Sequence, residues 1–174
     1  MSLLNLLKIY DNFLEPEHLE RIKFDISNSA WSTKGCTTDE CTKQIIYFLR
    51  QDTPPDNFYS VFLLEKIKNT TNKNLTWALY NSPYFNGQVF GQDASIHYDS
   101  LKEDEFTFLL YCTENYDPAM GGFTLFKEDN NETLVVPKYN RGVFFPAKLL
   151  HKAFSFSQAW HPVRVSLAFK LKMI

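Results

Sequence analysis

The sequence predicts a mainly β fold in which N-terminal helices precede a set of antiparallel strands. Two observations support this prediction. The first third of the chain places apolar residues at helical spacing, whereas from Leu75 onward short runs of β-branched and aromatic residues are separated by Gly, Pro and Asn. Since no convincing helix pattern falls between these runs, βαβ units are not expected, and an antiparallel sandwich or a double-sheet jelly roll is favoured.

The composition is that of one folded domain spanning residues 1–174. Hydrophobic residues make up 44% of the chain and charged residues 22%, which excludes a disordered chain and a disulfide-stapled miniprotein. No internal repeat or low-complexity linker divides the sequence. We therefore expect helical support over about residues 14–70 and a β core over about residues 75–172.

Two helices are predicted in the first part of the chain. The first begins at Leu14-Glu15-Pro16-Glu17, because proline at the first helical position and an acid in the first turn suit a helix N-terminus. The second begins after Pro54-Pro55 and ends at Asn69-Thr70-Thr71. The apolar positions are Leu19, Ile22 and Ile26 in the first helix and Val61, Phe62, Leu64 and Ile67 in the second. The polar stretch between the helices, Ser32–Thr42, is predicted to be a loop.

Eight short strands are predicted after the helices. The helices would cover one outer face of the sheet that these strands form. The strands are Thr76–Tyr80, Ser95–Tyr98, Phe106–Cys112, Gly122–Phe126, Thr133–Val136, Gly142–Phe145, Lys152–Phe156 and Val163–Leu171. The last strand alternates most clearly between two faces. Its apolar face carries Val165, Leu167, Phe169 and Leu171, and its other face carries Arg164, Ser166, Ala168 and Lys170.

Charge and hydropathy argue against several classes of partner. Eighteen Lys and Arg against twenty Asp and Glu give a net charge of -2, so no nucleic-acid partner is expected. No apolar run approaches the roughly 18–20 residues that a membrane helix needs. The first residues lack the basic region of a signal peptide, and the three cysteines are interpreted as reduced thiols. We expect a cytoplasmic, monomeric protein.

Three residues form a candidate metal site. His97-Tyr98-Asp99 places an imidazole and a carboxylate two residues apart, and therefore on one face of an extended segment. His151 follows later in the chain. Two imidazoles and one carboxylate are the ligands of a facial-triad Fe(II) site, which leaves coordination positions open for reactants. His97, Asp99 and His151 are therefore the predicted metal ligands and catalytic centre.

Arg164 is the candidate anion-binding residue. It shares a strand face with Ser166, and an arginine directed into an apolar cavity is costly unless it meets an anion. The guanidinium fork matches a carboxylate through two hydrogen bonds. A dicarboxylate co-substrate would supply that partner.

The ordered set His97-x-Asp99, His151 and Arg164-x-Ser166 resembles the 2-oxoglutarate- and Fe(II)-dependent oxygenases, in particular their prolyl 4-hydroxylase-like branch. The resemblance extends over about residues 8–172. Further matching segments are Ile9-Tyr10-Asp11-Asn12-Phe13-Leu14, Phe108-Leu109-Leu110-Tyr111, Gly121-Gly122-Phe123-Thr124-Leu125-Phe126, and Pro137 through Gly142-Val143-Phe144-Phe145-Pro146.

The resemblance implies a double-stranded β-helix (jelly roll) with the N-terminal helices packed on the outer sheet face. It implies iron held by His97, Asp99 and His151, with 2-oxoglutarate as co-substrate, O2 as oxidant and ascorbate as an accessory reductant. It also implies that Arg164 binds the distal carboxylate of 2-oxoglutarate. The other co-substrate residues implied in the same way are Ser166, Tyr111 and Tyr80.

The activity implied by the resemblance is hydroxylation of a C–H bond in a peptide or protein substrate, in particular at a prolyl residue, with conversion of 2-oxoglutarate to succinate and CO2. Arg164 departs from the lysine typical of collagen-type prolyl hydroxylases, although arginine occurs at this position in the oxygen-sensing prolyl hydroxylases. The polar segments Ser32–Thr42 and Asn81–Gln92 are candidate substrate-covering loops.

Three alternatives remain open. A small-molecule hydroxylase and a nucleic-acid demethylase share the same chemistry. The demethylase is disfavoured, since Lys170 stands where that branch carries a second arginine. An alternative of another class is a non-catalytic β-helix sensor that binds a metal or ligand without turnover.

Overall fold

A computed structural model describes residues 2–34, 48–78, 82–159 and 162–174 of the chain. Both predicted helices are present as α1 (Pro16–Asn28) and α2 (Leu63–Thr71), and a π-helical turn over Phe58–Phe62 leads into α2. Short 3-10 turns cover Leu4–Leu6 and Pro118–Met120. No helix of these described ranges is long and apolar enough to span a bilayer.

Within the described ranges the strands form two antiparallel sheets. In chain order they are β1 (Lys8–Tyr10), β2 (Ser32–Lys34), β3 (Phe48–Asp52), β4 (Leu75–Trp77), β5 (Tyr84–Gln88), β6 (Glu105–Tyr111), β7 (Thr124–Glu128), β8 (Asn131–Val135), β9 (Gly142–Pro146), β10 (Leu150–Ala153) and β11 (Arg164–Met173). The large sheet has the order β1-β9-β6-β11-β5-β3-β2, with β4 pairing the far end of β11. The small sheet has the order β10-β7-β8. This arrangement confirms the predicted mainly β jelly-roll class.

The helices cover the outer face of the large sheet, as predicted. The alternate side chains Leu167, Phe169 and Leu171 of β11 pack there with Phe108 of β6. On the helical side, Ile22 of α1 is among the buried residues of the same cluster. Other members from the helical region are Phe13, Leu14, Tyr59, Leu63, Leu64 and Ile67. Burial of these apolar side chains fixes which face of β11 turns inward toward the small sheet.

A second apolar cluster accompanies the small sheet. It consists of Tyr111, Phe126, Val135, Val143, Phe145 and Leu149. The ring of Phe126 on β7 packs against Phe145 on β9 with the centroids 4.8 Å apart, so aromatic contacts join the two sheets. The Phe145 ring also lies 4.9 Å from the ring of His151 on β10, so this cluster packs beside that histidine.

The expectation that Asn81–Gln92 forms a loop over the site is wrong for its central part. Residues Tyr84–Gln88 form β5, which pairs with both β11 and β3. Asparagine and glycine have low strand propensity, so the segment gave no strand signal. It forms a strand because two neighbours pair with its backbone, and because Gly87 accommodates the Trp31 ring, which would lie 2.8 Å from an added Cβ.

Further differences concern the ends of the predicted elements. Strand β1 precedes the part interpreted as helical support, β2 and β3 lie within that part, and β2 occupies Ser32–Lys34 at the start of the predicted loop. The remainder of that loop, residues 35–42, lies outside the described residues. The predicted strand Ser95–Tyr98 is not a strand, since only His97 makes an isolated bridge, to His151. Its neighbouring backbone instead bonds to other residues, as Asp99 N–H does to Ala147 O at 2.8 Å.

Candidate functional site

The three predicted metal ligands lie together beside the small sheet. One ligand atom from each of His97, Asp99 and His151 lies within 4.8 Å of the other two. Nε2 of His97 is 3.7 Å from Oδ1 of Asp99, and Nε2 of His151 is 3.6 Å from Oδ2. The backbone produces this proximity, because His97 and His151 exchange two N–H···O bonds of 3.0 Å.

Both imidazoles present Nε2 as the free nitrogen. Nδ1 of His97 lies 2.9 Å from the carbonyl oxygen of Ser95, and Nδ1 of His151 lies 2.9 Å from that of Leu149. A carbonyl oxygen only accepts hydrogen bonds, so Nδ1 is the donor in each ring, and the tautomer that these bonds select has its lone pair on Nε2. Metal-ligating histidines are commonly oriented by such bonds from the second ring nitrogen.

The protonation state of His151 also favours metal binding. Its side chain is only 7% exposed, and this burial, which outweighs the attraction of Asp99, lowers the pKa of His151 to about 4. The imidazole is therefore neutral at neutral pH. The two Nε2 lone pairs and one carboxylate form a donor set that fits a divalent transition metal with open positions.

The Asp99 carboxylate is ionised and held in place by two further groups. Burial would raise the pKa of Asp99, but the Lys170 ammonium and the two nearby imidazoles outweigh burial and lower it. Thr107 Oγ1 donates to Oδ2 at 2.5 Å, and Nζ of Lys170 lies 2.5 Å from the same oxygen. One carboxylate oxygen is thus occupied by protein donors.

Arg164 lies on β11 in the same cavity and is 2% exposed. Its Nε donates to the carbonyl of Gly122 at 2.7 Å, Nη1 to Oε1 of Gln88 at 3.0 Å, and Nη2 to Oγ1 of Thr124 at 2.8 Å. All three partners are neutral. Among the described residues no carboxylate lies within 4.0 Å of this guanidinium, so its charge is oriented but not neutralised.

The other predicted co-substrate residues occupy different positions. Ser166 lines the cavity beside Arg164 on β11. The Tyr111 hydroxyl donates to Oγ1 of Thr124 at 2.7 Å, and the Tyr111 ring lies 5.4 Å below the Arg164 guanidinium carbon. Tyr111 therefore supports the guanidinium and its partner Thr124. Tyr80 lies outside the described residues.

One cavity of about 120 Å³ contains both the metal-ligand cluster and the arginine. Its walls combine polar groups with apolar ones such as Phe48, Leu109 and Ala153. Asn86 also lines it, and Oδ1 of Asn86 is buried with no hydrogen-bond partner in the described part of the chain. The cavity therefore offers a bound molecule a charged arginine with no carboxylate partner among the described residues.

Sequence reasoning missed several groups of the site. Gln88 and Thr124 orient Arg164, but neither belongs to a recognisable motif. Lys170 was detectable, because strand alternation places it on the face of Arg164 and Ser166, yet its pairing with Asp99 depends on the fold of the loop that carries Asp99. The metal ligands required no such knowledge, since their types and order are visible in the sequence.

Solved structures similar to this chain include prolyl hydroxylases and a member of the 2OG-Fe(II) oxygenase family. A Trichoplax adhaerens prolyl hydroxylase, in complex with a hypoxia-inducible factor oxygen degradation domain peptide fragment, aligns over 96% of this chain and 83% of its own with a TM-score of 0.73 and 13% identity. A Pseudomonas putida prolyl-4-hydroxylase aligns over 97% and 92% with a TM-score of 0.64 and 15% identity.

A third similar structure is HygX from Streptomyces hygroscopicus with nickel, 2-oxoglutarate and hygromycin B bound. It aligns over 98% of this chain and 86% of its own with a TM-score of 0.66 and 10% identity. No protein-family model and no curated protein matches the sequence. At identities of 10–15% these similarities establish the fold, and they confirm at that level the resemblance predicted from the sequence motifs.

Proposed function

We propose that the protein is an Fe(II)- and 2-oxoglutarate-dependent dioxygenase that hydroxylates a C–H bond in a peptide or protein substrate, with prolyl residues as the first target class. The observation that carries the proposal is one cavity that holds the His97-Asp99-His151 cluster together with a buried arginine, for which the described residues supply no carboxylate within 4.0 Å. A metal site alone would suit many proteins. The added arginine calls for a ligand that binds a metal and also carries a distant carboxylate, and 2-oxoglutarate is such a ligand.

In this proposal each residue has a defined task. Nε2 of His97, Nε2 of His151 and the Asp99 carboxylate would hold iron, and three protein ligands would leave coordination positions for reactants. Arg164 binds the distal carboxylate of 2-oxoglutarate, with Ser166 beside it. Iron with 2-oxoglutarate and O2 would supply the oxidation, in which one oxygen atom enters succinate, the other enters the substrate, and CO2 is released.

The protein environment contributes orientation and exclusion of water. The bonds from Nδ1 of both histidines hold the rings, so that the metal meets preformed ligands rather than mobile ones. Gln88 and Thr124 hold the guanidinium, and Tyr111 holds Thr124. Apolar wall residues such as Leu109 keep the reacting atoms away from bulk solvent.

A spectroscopic titration tests the metal and co-substrate assignment. Metal-free protein is titrated anaerobically with Fe(II) and then with 2-oxoglutarate. A chelated keto acid should give a visible metal-to-ligand charge-transfer band, which His97→Ala removes and Arg164→Ala weakens. His18→Ala is the matched control, because His18 lies on α1 against the ring of Phe62 and away from the cavity. Iron binding without a band would favour the metal-binding sensor alternative.

A turnover assay tests the substrate class. Succinate formation is measured with proline-containing peptides and, in parallel, with polyhydroxylated aminoglycosides. The second panel is included because the similar HygX structure holds hygromycin B. Peptide-dependent succinate formation with a mass gain of one oxygen on the peptide supports the proposal. Turnover with only the aminoglycosides would favour the small-molecule hydroxylase.

A further inference from the structure

Lys170 lies in the cavity beside the proposed metal ligands. It is on β11, opposite Thr107 of β6 in the sheet register, and its side chain is 18% exposed. Its Nζ is 2.5 Å from Oδ2 of Asp99 and 3.5 Å from Oγ1 of Thr107. Among the described residues no other carboxylate lies within 4.0 Å of Nζ. A largely buried ammonium needs a counter-charge, and Asp99 supplies it.

The contacts divide the two oxygens of Asp99 between protein and metal. Oδ2 accepts from Thr107 Oγ1 and pairs with Lys170, so protein donors occupy its lone pairs. Oδ1 has no such donor in the described part of the chain, and it faces Nε2 of His97 at 3.7 Å. Oδ1 is therefore the oxygen free to bind a metal.

We propose that Lys170 is a built-in counter-cation for Asp99 that sets the charge balance of the metal site. It neutralises the carboxylate when no metal is present, holds it so that Oδ1 is the coordinating oxygen, and adds positive charge beside anionic ligands of the loaded site. This inference rests on the proposed function, because it assumes that His97, Asp99 and His151 bind a divalent metal.

The proposal predicts effects of opposite sign on metal and co-substrate. A divalent metal is repelled by the adjacent ammonium and competes with it for Asp99, so removing the ammonium should strengthen metal binding. 2-Oxoglutarate is a dianion that gains from the same positive charge, so its binding should weaken. A residue that served only to pack the cavity would, on removal, weaken both.

The test compares Lys170→Met with the wild-type protein. Mn(II) binding is measured from the electron paramagnetic resonance signal of free Mn(II), and 2-oxoglutarate binding to the Mn(II)-loaded protein by calorimetry. From the interaction between close charges at its water-screened strength, we expect Mn(II) to bind about tenfold more tightly and 2-oxoglutarate about tenfold more weakly. Lys170→Arg should return both constants to within about threefold of wild type.

Lys172→Met is the matched control. Lys172 is on the same strand and the same face, but its side chain is 45% exposed and pairs with Asp104 at 3.4 Å, outside the cavity. It should leave both constants unchanged. If Lys170→Met does not fold, Lys170→Gln, which removes the charge but keeps a polar group, is measured in its place.

The outcomes separate this inference from the proposed function. If wild type binds no Mn(II), the metal site itself is wrong, and both fail. If wild type binds Mn(II) and 2-oxoglutarate but the variant weakens both or changes neither, the role of Lys170 is wrong and the proposed function stands. Tighter metal with weaker 2-oxoglutarate, restored by arginine, supports the inference.

Discussion

Replacing Arg164 by methionine should remove recognition of the distal carboxylate while leaving the metal site intact. The guanidinium is 2% exposed and is held by three neutral acceptors. A bound carboxylate would be the counter-charge of this buried arginine. Truncating one partner of such a buried charge pair costs about 2–5 kcal/mol, which corresponds to a roughly 30- to 5,000-fold rise in the Kd for 2-oxoglutarate.

The assay for this prediction is a double-mutant cycle between protein and ligand. Pyruvate retains the keto acid end that would bind the metal but lacks the distal carboxylate. The Kd values of 2-oxoglutarate and pyruvate are measured for metal-loaded wild type and for Arg164→Met. Wild type should prefer 2-oxoglutarate by the factor above, and the variant should bind both ligands equally, within about threefold.

The control for this cycle is Arg21→Met, since Arg21 lies on α1, has a 42% exposed side chain and pairs with Asp25 and Asp56 rather than with a residue of the cavity. It should keep the wild-type preference. If Arg164→Met still discriminated between the two ligands by more than tenfold, another group would bind the distal carboxylate. The inference from the unneutralised guanidinium would then be refuted.

Three further predictions follow from the same structure. Asp99→Ala should abolish succinate formation but leave the far-ultraviolet circular dichroism spectrum unchanged, and retained turnover would contradict its assignment as a ligand. In metal-free protein, the His151 pKa of about 4 against an ordinary 6.5 means that the unfolded state binds the proton first as pH falls. The contribution of neutral His151 to the free energy of unfolding should therefore be fully present above about pH 6.5 and decrease by at most about 3 kcal/mol as the pH falls toward 4. Urea unfolding at a series of pH values measures this decrease, which His151→Asn should lack. Gly122→Ala should lower the free energy of unfolding, measured with urea, by more than about 3 kcal/mol. The reason is that φ of Gly122 is +71° and an added Cβ would lie 2.4 Å from the Phe156 ring. Gly91→Ala has a similar φ of +84° but open space, so it should cost only about 1 kcal/mol, and equal losses would contradict the packing argument.

The sequence was informative wherever a local pattern determines the structure. Helix α1 begins at Pro16, because proline is well suited to the first position of a helix and poorly suited to its interior. The two faces of β11 were predicted correctly, since alternation is a property of any strand. Cys112 directly follows Tyr111 and, as alternation requires, packs on the opposite face, against the apolar cluster under the helices, where burial raises the pKa of its thiol to about 12.

The errors arise where distant residues determine the conformation. β5 contains Asn86 and Gly87 and gains its extended form from pairing with β3 and β11, which the local sequence does not reveal. In the opposite case, Ser95–Tyr98 alternates like a strand but makes only one bridge, at His97. The error at β5 has a functional consequence. Gln88 at the end of β5 accepts a hydrogen bond from Arg164, and no sequence pattern could have predicted this contact.

The organisation of β11 explains why the cavity chemistry and the stability of the fold depend on the same register. Arg164, Ser166 and Lys170 line the cavity at alternate positions, and the residues between them pack under the helices. A slip of one residue in the pairing with β6 would turn two buried cations into the apolar core and apolar side chains into the cavity. Because burying an unpaired charge costs several kcal/mol, such a slip is strongly disfavoured. Burial of the apolar face of β11 therefore fixes the strand register. The register in turn places Arg164, which we assign to the co-substrate, and Lys170, which we assign to the metal site, in the cavity.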